Sequence, residues 1–469
     1  MRKKTKKILL GSLYLVLGIL IVVIAVRAWF DGRAQEKLDR VWGSLGRSGN
    51  LVPLRTLLPP VTREDDNAAR LWKAAENVFL MDNKDRTALQ KAEQALQEWK
   101  IPDPEIVAAV EALAARNRLT MDLIREAAGK SAFRYNLLWG PAYDRPWDLR
   151  QPNLVALGHS FRLIRTLAAL AAESGRPAEA LDLWNLETRL LLLMRRDLPL
   201  FGSRALINGM KAQVSTLNRI VAGRDLTEKD LRALLDRVRV EPWQEEFRFA
   251  LRFETESQSQ LWGRLIEDPD GAPAWERETS PHGPRGWLFR PVLKSVAVWT
   301  LEKLEKVAGW ADQSPYEIED YLGQVAPKTP SRTPRSFRLY FGEDADSIST
   351  SSDELKNLKF RFDLLSAWLT AARLGIAGRI HFLRHGAYPA SLAELDRDIL
   401  GEMPVDPYTG RALVYKAGQT GFSIYSVGPN GRDEEGRCVG SLRLTSFRSA
   451  DDDCVWTEIR PSPRSAVRK

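Results

Sequence analysis

Residues 8–26, ILLGSLYLVLGILIVVIAV, form the one long stretch without a charge or a periodic polar position. As a helix at 1.5 Å per residue they reach about 28 Å, close to one hydrocarbon core. Beyond them the apolar positions fall into amphipathic helical spacing. Asp66-Asn67 is placed to cap AARLWKAAENVFLM, with Leu71, Ala75 and Val78 on one face. Thr87–Trp99 has strong helix-forming composition, Pro102 and Pro104 interrupt it, and Glu105–Ala128 resumes the pattern. Leu157, Phe161, Ile164, Ala168 and Ala171 mark one buried face, a turn SGRPA follows, and a second helix runs through Leu193. Thr227 with Asp230 makes an N-terminal capping pair for EKDLRALLDRV, and helix continues past Pro242 toward Leu265. A further helix is expected over Val292–Ala311. The last long one is Asp353–His385, with Leu355, Leu358, Phe362, Leu365, Leu369, Ala372 and Ile376 on one stripe and Gly386 as its stop. Two short strands, Ala412–Lys416 and Phe422–Val427, then predict an antiparallel hairpin.

Three stretches lose the pattern. Residues 131–152 set Tyr135, Trp139, Tyr143 and Trp147 among Gly140, Pro141, Pro146 and Pro152 and read as an aromatic-packed connector. Residues 267–291 and 325–352 are rich in Pro and Ser and read as linkers or long surface loops. The turn within ALAAESGRPAEALDLWNLETRL resembles that of a tetratricopeptide repeat, but one such unit makes a helical hairpin, near 154–195, not a solenoid.

Charge sharpens the picture. The net charge is +8 and the pI about 9.4, values that suggest nucleic acid until the charges are located. Arg2, Lys3, Lys4, Lys6 and Lys7 precede the apolar run and Arg27 follows it; without these six, 63 basic residues face 61 acidic ones. A basic tail, Arg460, Arg464, Arg468 and Lys469, takes up the remainder. The pI thus reflects membrane topology, and no nucleic-acid partner is expected. Residues 1–7 read as a cytoplasmic basic tail, 8–28 as an uncleaved transmembrane signal anchor, and everything after as exported. The competing reading is a cleaved secretory signal, for which Val26-Arg27-Ala28 is a poor site. No prepilin-type leader is evident, because Gly11 is followed at the fifth residue by Val16 instead of Glu.

Candidate chemistry is sparse. The sequence has no GxSxG, HExxH, Walker loop or GxGxxG followed by an acid. His381 and His385 are four apart on one helix, a spacing that lets both face a metal, but HFLRH offers no evident third ligand and reads as two polar positions at a helix end. His159 reads as a boundary residue of the hairpin, and Asp65-Asp66 and Glu245-Glu246 as capping or solvated pairs. The two cysteines, Cys438 and Cys454, favour a disulfide in an oxidising compartment, closing a loop worth about 3 kcal/mol; two free thiols are the alternative.

The most specific pattern lies at 379–433. A long helix is followed by G-x-YP-x-SL-x-x-L, P-x-DP-Y-x-G, a Y-x-x-G strand and GFSIYSVGPNGRDEEG, with DDDCVW further on. This order resembles the C-terminal globular part of type II secretion major pseudopilins, over about 100 residues. The whole chain also resembles, more loosely, uncharacterised single-pass envelope proteins of planctomycete-like bacteria. The first resemblance implies a small α+β domain over 353–460 and a calcium ion held by the loop and the final Asp segment. Asn430 stands where that family has a loop Asp; Asp433 would substitute, and Asp452 or Asp453 would answer to the final Asp. A solvated acidic loop is the rival reading. The membrane helix lies far upstream of the module, unlike a pseudopilin's, which argues against pilin-like polymerisation.

The expected architecture is therefore mainly α: an N-terminal transmembrane helix, an exported helical body over 31–266, Pro/Ser-rich linkers over 267–352 around a helix at 292–311, and a pseudopilin-like α+β end. The expected function is a non-enzymatic, membrane-anchored cell-envelope scaffold binding envelope or secretion proteins. The alternatives are a pseudopilus-type structural subunit, and an exported hydrolase with its site near 131–152.

Overall fold

The computed structural model describes residues 2–57, 63–134, 154–195, 200–223, 225–267, 283–321, 350–418, 421–433, 435–436 and 456–459. Helix α1 (Arg2–Arg47) is unbroken from the basic tail through the apolar run and onward. From Leu13 to Val26 its apolar side chains are exposed, and it is long and apolar enough to cross a membrane. About two turns later Ala34 opens a buried stripe, continued by Leu38, Val41 and Leu45. The same helix therefore changes from an exposed apolar surface to a core-facing one without a linker.

Helices α2 (Ala68–Val78), α3 (Asn83–Gln97), α4 (Pro104–Arg116) and α5 (Arg118–Ala128) follow. Asn67 caps α2 as its sequence suggests, its side chain accepting from Ala69 N. The single helix expected over Glu105–Ala128 is instead divided at Asn117. The buried Asn117 amide accepts from Leu80 N at 2.7 Å and donates to Leu80 O at 2.8 Å, acting as a strand-like partner for the connector between α2 and α3. A buried polar side chain that satisfies two backbone groups offsets the lost helical continuity.

The hairpin is present as α6 (Leu154–Glu173) and α7 (Pro177–Met194), with Gly175 at φ +72° in its turn. Phe161, Ile164, Ala168 and Ala171 are buried as expected, but Leu163, Ala169 and Leu170 are buried too. Helix α6 lies between two cores, the main one and a smaller one made with α3 and α4. Helices α8 (Leu200–Ala222), α9 (Glu228–Arg237) and α10 (Glu241–Glu267) complete this part. The Thr227–Asp230 capping box forms, with Asp230 N donating to Thr227 Oγ1 and Thr227 N to Asp230 Oδ2.

Helix α11 (Gly283–Ala308) begins well before the expected Val292, so residues 283–291 are helix and not linker. The Pro291 that argued against helix is accommodated because the carbonyl it would orphan, that of Trp287, accepts from Arg27. Helices α1 and α11 run side by side in the same direction, joined by Arg27 with Trp287, Asp31 with Lys294 at 2.9 Å and Ser44 with Glu305.

Helix α12 (Thr350–His385) is the hub. The expected stripe from Leu355 to Ile376 is buried, and so are Phe360, Leu364, Ala367, Ala371, Leu374, Ala377 and Ile380 on its other sides. It packs against α8, α9, α10, α11 and the sheet. One continuous core runs from Leu38 through α12 to Ile424. The long helix of the C-terminal module is thus also the central helix of the body. Among its charged side chains, Lys359 donates to Asp363 at 2.5 Å, where Tyr321 donates to the other oxygen at 2.5 Å, and the half-buried Arg373 donates to the Leu235 and Val238 carbonyls that end α9. Burial and the neighbouring Asp363 carboxylate drive the Tyr321 phenol well above its ordinary range.

The sheet has three antiparallel strands in sequence order: β1 (Val414–Ala417), β2 (Phe422–Tyr425) and β3 (Trp456–Ile459). Val414 pairs with Tyr425, and Tyr425 with Trp456. Only the first two strands were expected. Gly378 of α12 lets β2 approach closely: a Cβ there would stand 2.6 Å from the Phe422 ring, which is buried between Tyr388 and Tyr415.

Candidate functional site

The singled-out C-terminal stretch organises around two carboxylates. Asp406, in PVDPYTG, is fully buried and accepts from Tyr408 N at 2.8 Å, from Ser426 Oγ at 2.8 Å and from Val427 N at 3.3 Å. Its own backbone closes the turn, donating to Arg411 O and accepting from Gly410 N, where Gly410 has φ +65°. Burial raises the Asp406 pKa against these stabilising bonds. The P-x-DP-Y-x-G turn and the YSVG segment are therefore clamped by one side chain, a role its turn chemistry alone did not reveal. Asp433 sits in the next loop. Its Oδ1 accepts from Tyr425 Oη and from Glu435 N, both at 2.8 Å, and the tyrosine hydrogen bond holds its pKa below the ordinary value. Tyr425 is buried and anchors the loop to β2.

Cys438, Cys454, Asp452 and Asp453 lie outside the described residues, as do most of 131–152. Calcium takes six to eight oxygen ligands. Of the expected acidic set, Asp433 alone is described, and one of its oxygens is already committed to holding the turn.

A second feature is a polar cavity of about 340 Å³ between α3, α6 and α8, lined in part by Glu93, Arg162, Arg165, Thr166, Lys211 and Arg219. Its arginines are tied to carboxylates. Arg162 makes a two-pronged bond to Glu93, with Nε at 3.0 Å from each oxygen. Arg165 and Gln213 both donate to the fully buried Glu187. Arg219 pairs with Glu173 and donates to Leu96 O at 2.9 Å, closing the end of α3 while lying over the Trp99 ring. Burial raises Glu187 to about 7 despite Arg165. These ion pairs lock α3, α6, α7 and α8 together, and paired cations of this kind hold shape more than they bind. A signal for Glu187 did exist in the sequence: it sits on the face that also carries Trp184, Leu190 and Leu191, all buried.

At the end of α12 the structure brings a carboxylate beside the histidine pair. His381, His385 and Asp396 bring their ligand atoms within 4.8 Å of one another. His159 is half-buried near Arg162, and burial lowers its pKa. With this geometry in view, comparison with known protein families, curated proteins and solved structures found no match. The pseudopilin resemblance of 379–433 consequently rests on its own residues.

Proposed function

We propose that this protein is a membrane-anchored, non-enzymatic cell-envelope scaffold whose exported helical body carries a pseudopilin-like end. The observation that carries this reading is the unbroken α1, exposed and apolar from Leu13 to Val26 and built into the core from Ala34. The five basic residues ahead of the apolar run favour a cytoplasmic N-terminus and an inner-membrane location. Trp29 and Phe30, both exposed just beyond the span, suit the opposite interface. Arg27 supports an uncleaved anchor, since it lies inside the candidate cleavage site and is bonded to α11. The Asp406 clamp, the Tyr388–Phe422 contact and the Tyr425–Asp433 bond support a compact helix-on-sheet end of the pseudopilin kind. In that reading the Asp433 loop meets envelope or secretion components, with calcium and a Cys438–Cys454 disulfide as its stabilisers.

The test joins topology to capture. The full chain is expressed with a reporter active only outside the cytoplasm at its C-terminus, then crosslinked in cells and purified from membranes. The reading expects reporter activity, retention in the membrane fraction after alkaline washing, and recovery of envelope proteins. A soluble chain, a silent reporter, or capture of no envelope protein overturns it.

A further inference from the structure

We propose that His381, His385 and Asp396 form a binding site for a late first-row divalent cation, with Zn²⁺ as the reference ion. The two histidines occupy successive turns at the end of α12, and their ring centroids are 4.3 Å apart. The chain then turns through Gly386 at φ +73° and the short segment at Leu392–Glu394, which brings Asp396 back alongside the helix end. His385 Nε2 lies 3.6 Å from Asp396 Oδ2. Asp396 precedes the four-residue helix α13 (Arg397–Leu400) but makes no side-chain capping bond to it, so its carboxylate is directed at the α12 end instead. His381 Nδ1 is buried and has no hydrogen-bond partner, a cost that a ligand or a reoriented ring removes.

The chemistry suits zinc better than calcium. Two imidazoles and one carboxylate are a borderline-soft donor set, and zinc–ligand bonds of about 2.0–2.2 Å require ligand atoms roughly 3.3 Å apart. The present spacing is wider, 3.6 Å between His385 and Asp396 and up to 4.8 Å within the group, so binding would draw the three side chains together. The surroundings favour a cation. Arg384 bonds to Asp396 at 2.8 Å but also to Glu228 at 2.7 Å and to Asp398 at 3.1 Å, so it keeps two partners when Asp396 turns to the metal, and Arg232 adds a bond to Asp398 at 2.8 Å. Asp396, Glu228 and Asp398 thus form three carboxylates facing two guanidinium groups, those of Arg384 and Arg232. Three protein ligands leave a fourth position for water or for a side chain of a bound partner. The site would clamp the end of α12 to the segment leading into the sheet.

Purified full-length protein in detergent, stripped with chelator, is titrated with ZnCl₂ in competition with a chromophoric chelator. The expected result is one zinc equivalent whose affinity falls at least about tenfold in both His385→Ala and Asp396→Asn. Both positions are outside the core, and Co²⁺ substitution should give a tetrahedral visible spectrum that those variants lose. A Cys438→Ser/Cys454→Ser variant should retain the zinc. Absence of stoichiometric zinc, affinity unchanged in the two ligand variants, or loss of zinc on removing the cysteines overturns the proposal.

Discussion

Arg27 donates from Nε and Nη2 to the Trp287 carbonyl, at 3.2 and 3.1 Å, and its guanidinium lies 4.5 Å from the Trp287 ring centre. In an unbroken helix that carbonyl would accept from the residue four positions on, which is Pro291 and has no N–H. A side chain from α1 thus completes the hydrogen bonding of α11. Arg27→Ala should destabilise the protein by about 1–3 kcal/mol. In a Pro291→Ala background the restored N–H should make the same change much milder. Thermal unfolding of the four proteins in detergent measures the coupling, and equal losses in both backgrounds would refute the substitution of one donor for another.

Glu187 supplies a pH dependence. Its folded value near 7 stands above the ordinary 4.5, so the folded protein holds this proton more tightly than the unfolded chain. The resulting stability is complete below about 4.5 and declines as pH rises through 7, by roughly 3 kcal/mol in all. Glu187→Gln keeps a neutral group that can still meet Arg165 and Gln213. Denaturant melts between pH 5 and 8 should show the wild type losing stability relative to the variant as pH increases. Parallel curves would remove Glu187 as the source.

Gly378 limits how the central helix meets the sheet. Alanine there would drive a methyl into the Phe422 ring, which Tyr388 and Tyr415 prevent from moving aside. Gly378→Ala is expected to cost about 1–3 kcal/mol, as overpacked cores do. Adding Phe422→Leu should recover part of it. Chemical denaturation of the single and double variants gives the answer, and a double variant no better than the sum would count against direct contact.

The acidic loop offers a separable test. If Asp433 belongs to a calcium site, millimolar Ca²⁺ should raise the melting temperature of the oxidised full chain, and Asp433→Asn should erase that rise. The whole chain is needed because α12 belongs to the body's core as much as to the module. Alkylation before and after reduction, read by intact mass, reports whether Cys438 and Cys454 are joined. No calcium-dependent shift would leave the loop as a solvated one.

How far the fold was legible follows from which signals are local. Caps at Asn67 and Thr227 were readable because a cap uses neighbouring residues only. The α12 stripe was readable too, but not that all its sides are buried, since Ala and paired Lys359, Asp363 and Arg379 look like a solvent face until partners are known. The α11 start was missed because Pro291 is a breaker unless a distant donor is supplied. Asp396 was missed as a neighbour of the histidine pair for the same reason: ten residues separate it from His385, and nothing periodic announces the return. Asp433 was singled out only as a calcium ligand implied by the resemblance; its bond from Tyr425 is a contact the loop pattern did not announce.

The continuity of α1 has a mechanical corollary. At about 1.5 Å per residue, the Arg2–Arg47 helix is a rod of nearly 70 Å whose exposed apolar part would lie in lipid on the proposed reading, while its upper part is wedged into the protein. A bilayer thicker or thinner than the apolar span is accommodated by tilt. Lacking a swivel between lipid and core, and strutted by α11 from Arg27 upward, such a rod would carry the entire body through the same angle. The orientation of the sheet and its acidic loop over the membrane would then report local bilayer thickness.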